Sequence, residues 1–273
     1  MKYIIALYIC LMMSVSGSAQ ASTREELWLQ GDHGRLAATI QKPVLKKGAK
    51  CPLVIIMHGF TGSKDNYMHS LIADSLLAHG VASIRFDFNG HGRSDGKFSD
   101  MTVTNELVDA KNVVSYALSL PWVSRVMLTG HSQGGVVAGM VAGELGCKKI
   151  AKVVLLAPAS SLRDDAIRGD MLGSPFDADH LPDSVKVGNY YVGREYLRTV
   201  CTLPIFKVSA RYKGSALLLH GTGDHTVPYT CSEHYHELWK QSRLLLLDGY
   251  DHNFSKNLQL AIKHVVDFLV KDR

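Results

Sequence analysis

Residues 125–135 read RVMLTGHSQGG, and the chain continues VVAGMVAGEL to residue 145. The opening is a short apolar run of strand character and the continuation a small-residue stretch of helical length, with Gly-His-Ser-Gln-Gly between them. A Gly-x-Ser-x-Gly motif at a strand-to-helix turn is the nucleophile elbow. The turn is so tight that the serine must take a strained backbone conformation, and Gly130 and Gly134 leave the room that side chains would fill. Ser132 is thereby the expected nucleophile, its hydroxyl presented at the start of a helix. As a bare pattern, with Gly near 7% of residues, the motif arises by chance in roughly one chain in ten of this length. The strand and helix flanks give it its weight.

Other short apolar runs, at 53–57, 81–86, 153–157, 216–220 and 243–247, each end in a turn, as buried strands of a parallel sheet do. Helical patterns fall between them at 67–79, 105–118, 134–145, 231–241 and 257–270. The alternation predicts an α/β fold with a mostly parallel sheet. Residues 25–41 read as an antiparallel pair leading into that sheet, with Gly31 to Gly34 as the turn. Residues 158–209 break the alternation, since a single crossover helix needs far fewer. They contain Pro175, Pro182 and Pro204, Asp164, Asp165 and Asp170, and Tyr190, Tyr191 and Tyr196. Such an excursion overhangs the strand ends where parallel sheets bind ligands, so it reads as a cap on a core of residues 22–157 and 210–273.

A serine hydroxyl needs a base to remove its proton, and the base needs an acceptor that fixes its tautomer. In the chain order Ser, then Asp or Glu, then His, Asp224 follows strand 216–220 in HGTGD and His252 follows strand 243–247 in DGYDH. All three groups are expected on one edge of the sheet. His220, His225, His234, His236 and His264 also lie downstream as alternative bases, and Asp248 and Asp251 as alternative acids. Asp251 adjoins His252 and is poorly placed to reach its imidazole. The oxyanion of a tetrahedral intermediate needs donors, which fall to the N–H of Gln133 and to the N–H of Phe60 in the His58-Gly59-Phe60 loop.

With these residues in hand, HGFTGSKDN (58–66), SIRFDFNGHGRSDGKFSDMTV (83–103), GHSQGG (130–135), LLAPA (155–159) and HGTGDHTVP (220–228) together resemble the cinnamoyl (feruloyl) esterases of the α/β-hydrolase superfamily. The resemblance runs from about residue 35 to the C-terminus. It implies an eight-stranded core with helices on both faces, the triad Ser132, Asp224 and His252, and the oxyanion donors Phe60 and Gln133. It also implies a small cap after the sixth strand, with APASSLRDDAI (157–167) and REYLRTVCTLPI (194–205) aligned to segments that hold the ring's hydroxyl, hence Asp165 and Tyr196. The substrates so implied are hydroxycinnamate esters, small or polysaccharide-linked. Alternatives are a broad-specificity short-chain carboxylesterase or lipase-like enzyme, an acyl-peptide peptidase, which would need a large gating domain, and a non-catalytic ligand receptor.

The remaining features narrow partners and location. Lys2, the apolar run Tyr3 to Val15 and the Ala19-Gln20-Ala21 site make residues 1–21 a signal peptide. The run is shorter than the roughly 20 residues of a membrane span, and Cys10 lacks the small residues that precede a lipidated cysteine. The mature chain is thus expected in the periplasm or outside the cell, without stable membrane insertion. Cys51, Cys147, Cys201 and Cys231 are expected mostly as free, buried thiols, with one bridge allowed. The formal charge of +5 is small and scattered, which argues against nucleic acid as a partner. GHGRSD (90–95) lacks a phosphate loop's Gly-Lys-Ser/Thr ending and reads as a structural turn. His234-x-His236 lacks partners at helical spacing, so no metal and no other cofactor is expected. The oligomeric state is open, a homodimer included.

Overall fold

The computed structural model describes residues 22–271, so the signal-peptide reading of residues 1–21 lies outside the described residues. A hairpin of β1 (Ser22–Gln30) and β2 (Arg35–Pro43) precedes β3 (Cys51–Met57), α1 (Tyr67–Ala78) and β4 (Ala82–Phe86). Then come α2 (Val103–Ser119), β5 (Val123–His131), α3 (Gln133–Leu145) and β6 (Ile150–Leu156). The segment that follows carries α4 (Leu162–Ile167), the pair β7 (Asp170–Met171) and β8 (Ser174–Pro175), and the hairpin β9 (Ser184–Val187) and β10 (Tyr190–Gly193). It ends with α5 (Arg194–Val200) and α6 (Ile205–Ser209). The chain returns to the sheet in β11 (Ser215–Gly221), then α7 (Thr230–Leu238), β12 (Ser242–Leu247) and α8 (Leu258–Val270).

Eight strands form one sheet in the order β1-β2-β4-β3-β5-β6-β11-β12, antiparallel up to β4 and parallel beyond it. Side chains of successive strand residues point to opposite faces. In β3, Leu53, Ile55 and Met57 therefore join one core with α2, α3 and α7, while Val54 and Ile56 join a second with α1 and α8. Each fully buried aliphatic side chain contributes about 1.5–3 kcal/mol of transfer free energy, so burial on both faces strongly holds the central strands. Helix starts are fixed by side chains: Asn66 accepts from the Met68 N–H at 3.0 Å, Thr102 from Asn105 at 3.1 Å and Asn257 from Leu260 at 3.0 Å.

The central helix α3 is of a different kind. Every residue from Gln133 to Gly143 is buried, although each of its glycines costs about 1 kcal/mol of helix propensity relative to alanine. Close packing is what it gains: a Cβ on Gly143 would lie 2.1 Å from the carbonyl oxygen of Val208 in α6.

Two expectations need correction. Among the described residues the four thiols are unpaired, with Cys51 and Cys231 buried, but Cys147 is exposed in the turn after α3 and Cys201 half-buried. The helix expected to reach Gln241 stops at Leu238, because Trp239 turns into the core and its Nε1–H donates to Ser209 O at 2.7 Å.

Candidate active site

Ser132 sits between β5 and α3 with φ 57° and ψ −124°, a conformation that costs an L-residue about 1–3 kcal/mol. Neighbouring backbone holds it there. Its N–H donates to Leu156 O at the end of β6 (2.9 Å), and its carbonyl accepts from Gly135 (2.9 Å) and Ala159 (3.1 Å). The glycines of the motif are close-approach positions: a Cβ on Gly134 would lie 2.3 Å from His58 O, and one on Gly130 2.1 Å from Gly134 O. A Cβ on Gly59 would come within 2.8 Å of Ser132 Cβ, so the loop after β3 runs directly against the serine.

That loop is anchored by His58, whose Nδ1–H donates to Gly59 O at 2.8 Å while Nε2 accepts from the Phe88 N–H at 3.1 Å. Burial, reinforced by His91, holds His58 well below the usual imidazole range, hence neutral. Among the described residues no acceptor engages the Phe60 N–H, and the Gln133 N–H belongs to the first turn of α3, where no intrahelical acceptor exists. The GHGRSD run packs beneath: Asp87 accepts from the N–H groups of Lys64 (2.6 Å) and Arg93 (2.9 Å) and ties two loops together.

Asp224, at the end of β11, has its side chain fully buried. Its Oδ2 accepts from His252 Nδ1 at 2.6 Å and from His220 Nε2 at 3.1 Å, and its Oδ1 from the N–H groups of Thr226 and Val227, each at 2.8 Å. Burial pushes its pKa up, but the two imidazoles and the Val227 N–H outweigh burial and hold the carboxyl well below the usual carboxylate range. With Nδ1 bound to Asp224, His252 keeps Nε2 for other work. Asp251 instead accepts from the Ser255 N–H at 2.7 Å and closes its own turn.

Ser132, His252, Phe60, Gln133, Asp165 and Tyr196 all line one cavity of about 350 Å³. Leu162, Met171, Leu172 and Val227 contribute apolar lining, and Asn66, His69, His131 and Asn253 contribute polar lining. Asp165 pairs with Arg168. Tyr196 is buried, and its hydroxyl donates to Gln133 Oε1 at 2.7 Å. Burial lowers His69 to about 4 and His131 to about 3, so both are neutral imidazoles at neutral pH.

Sequence reasoning missed the role of three groups here. His220 is a second imidazole on Asp224, with its Nδ1 bonded to Ser232 Oγ at 2.7 Å; its place four residues before Asp224, at a strand end, was the available signal. His131 bonds through Nε2 to His252 O at 2.9 Å, and its ring lies 4.7 Å from that of His252. Glu106 is buried in α2 and accepts from Gln133 Nε2 at 2.9 Å; a carboxylate in the first turn of a predicted helix reads as solvated, so no local signal marks it.

The chain is similar to known hydrolases. The serine aminopeptidase, S33 family matches residues 48–183. Est1E from Butyrivibrio proteoclasticus, in a structure with ferulic acid bound, superposes with a TM-score of 0.85 at 32% identity, covering 90% of this chain and 98% of that one. Mouse alpha/beta hydrolase domain-containing protein 10 shares the fold at 19% identity, with a TM-score of 0.71 and coverage of 90% and 99%. The uncharacterized protein YfhR of Escherichia coli O157:H7 is 27% identical over 201 residues, which are 73% of this chain and 62% of the relative's length.

Proposed function

The chain belongs to the α/β-hydrolase superfamily as a serine hydrolase, and from that premise we propose that it is an esterase of hydroxycinnamate (feruloyl, p-coumaroyl, caffeoyl) esters. The observation that carries the chemistry is the 2.6 Å His252–Asp224 bond beside a cavity shared with Ser132 on its strained turn. His252 Nε2 takes the proton of Ser132 as Oγ attacks the ester carbonyl. Asp224 holds the imidazole tautomer and stabilises the imidazolium. The Phe60 and Gln133 N–H groups receive the oxyanion. Collapse of the intermediate expels the alcohol, which takes the proton from His252, and leaves an acyl-serine. Water, deprotonated by His252, then repeats the attack and releases the acid.

The substrate class rests on two supports: the apolar side chains in the cavity lining, which suit a planar phenolic acyl group, and the likeness to a protein that binds ferulic acid. Asp165 and Tyr196 are the residues we assign to the ring's hydroxyl. Tyr196 donates its own proton to Gln133, so its oxygen remains an acceptor for the phenol. We further assign the mature chain to the periplasm or the exterior, on the N-terminal pattern of residues 1–21. The test is kcat/KM for methyl ferulate, caffeate, p-coumarate and sinapate beside p-nitrophenyl acetate and butyrate, with fluorophosphonate labelling of Ser132. Hydroxycinnamates should lead the series. A preference for acetate and butyrate would make it a broad short-chain carboxylesterase, and failure to label would remove the serine mechanism.

A further inference from the structure

An oxyanion donor must be held to within a few tenths of an ångström, yet α3 is poorly equipped to hold its own first turn. Its N-terminal residue, Ser132, makes no side-chain cap bond, and four of its thirteen residues are glycine. What grips that turn is the side chain of Gln133. Its Nε2 donates to Glu106 in α2 at 2.9 Å, and its Oε1 accepts from the Tyr196 hydroxyl in α5 at 2.7 Å. All three residues are buried, with 1–2% of their surface exposed. The carboxamide thus bridges the core helix α2 to α5 of the inserted segment, and the residue it belongs to supplies the N–H assigned to the oxyanion.

We propose that Glu106 is a positioning residue, which through the Gln133 carboxamide fixes the oxyanion-donating turn of α3 and links it to the inserted segment. The inference rests on the serine-hydrolase reading of the site but not on the choice of ester. Charge makes the role selective. Burial, with a smaller contribution from Asp109 one turn along α2, raises the Glu106 carboxyl to about 8. The group is therefore neutral at neutral pH and places no negative charge behind the oxyanion. The groups around it are Gln133 on α3, Tyr196 on α5 and Asp109 on its own helix, with Asp165 of α4 acting on Tyr196. No cation pairs with Glu106 among the described residues. Once ionised, the carboxylate opposes the developing oxyanion, and turnover falls.

The experiment compares wild type with Glu106→Gln and Glu106→Leu on p-nitrophenyl acetate from pH 6 to 9.5, with melting curves for each. Glu106→Gln keeps an acceptor for Gln133 and cannot ionise. It should match wild-type kcat within about 2-fold at pH 7 and lose the decline that wild type shows above about pH 8. Glu106→Leu leaves the Gln133 Nε2 with only the weak acceptor Met101 Sδ at 3.8 Å and should lower kcat by roughly 10-fold or more with KM changed far less. Overlaid pH profiles for wild type and Glu106→Gln would overturn the proposal, as would a folded Glu106→Leu with normal kcat. If Glu106→Leu does not fold, the Glu106→Gln profile decides alone. A wild type whose turnover survives Ser132→Ala would instead defeat the serine mechanism itself.

Discussion

The sheet edge and the segment between β6 and β11 are held by different forces. At the edge, Asp224 accepts four hydrogen bonds and is fully buried, and Ser132 is fixed by four backbone bonds. In the inserted segment the ion pairs Arg163–Asp164, Arg194–Asp183 and Arg198–Glu195 are exposed, strands run two to four residues, and Leu172, Tyr190 and Tyr191 face solvent. Exposed pairs contribute about 0–1 kcal/mol, so this segment rests mainly on a few buried side chains such as Val192, Tyr196 and Leu197. Bond-making chemistry thus sits on the densely hydrogen-bonded sheet edge, whereas Leu162, Met171 and Leu172 of the cavity lining come from the inserted segment.

Substitutions should separate the two regions by size of effect. Ser132→Ala is expected to remove all but the oxyanion-hole and binding contributions, leaving a rate roughly 10³–10⁴ above water. Steady-state and single-turnover assays check this. Asp224→Asn should lower kcat by orders of magnitude and Asp251→Asn by less than about 3-fold, since of the two carboxylates only Asp224 bonds the His252 imidazole. The reverse ranking would move the acid to the His252 loop. In the inserted segment, Asp165→Ala and Tyr196→Phe should cost p-coumarate esters roughly 3- to 100-fold relative to methyl cinnamate, as expected for loss of one hydrogen bond to a phenol. Equal losses on both esters would assign Tyr196 wholly to Gln133 and the oxyanion turn.

The smallest effect is on stability. Burial chiefly pushes the carboxyls of Glu106 and Asp109 up to about 8 and about 6 in the folded chain, above their ordinary values of 4.5 and 3.8. The native state then holds protons that the unfolded chain releases, so unfolding free energy falls as pH rises across these windows. Denaturant midpoints should show Glu106→Gln gaining on wild type between pH 5 and 8. A constant difference would mean that Glu106 is already ionised at pH 5.

The strands, the order Ser, Asp, His and the α/β alternation were legible because each rests on local pattern: a period of hydrophobicity, a Gly-rich turn, an apolar run of strand length; the eight-stranded count was implied by the family resemblance. What connects distant segments was not. Glu106 reads as a surface carboxylate of an amphipathic helix, and only tertiary packing buries it against Gln133. His220 reads as a strand residue, yet the turn at Gly221–Asp224 brings the carboxylate back onto its ring. The hairpins between β6 and α5 are too short for periodicity to register, and Trp239 ends α7 by a contact thirty residues away in sequence.

The glycine-rich α3 also bears on how the molecule assembles. Four glycines in thirteen residues give a helix little tendency to form alone, and the strained Ser132 backbone persists only where β3, β6 and the start of the inserted segment already press on it. The nucleophile is therefore among the last features to mature during folding. In refolding from denaturant, ester cleavage should return later than far-ultraviolet dichroism, so that enzymatic activity reports completion of the fold rather than its beginning.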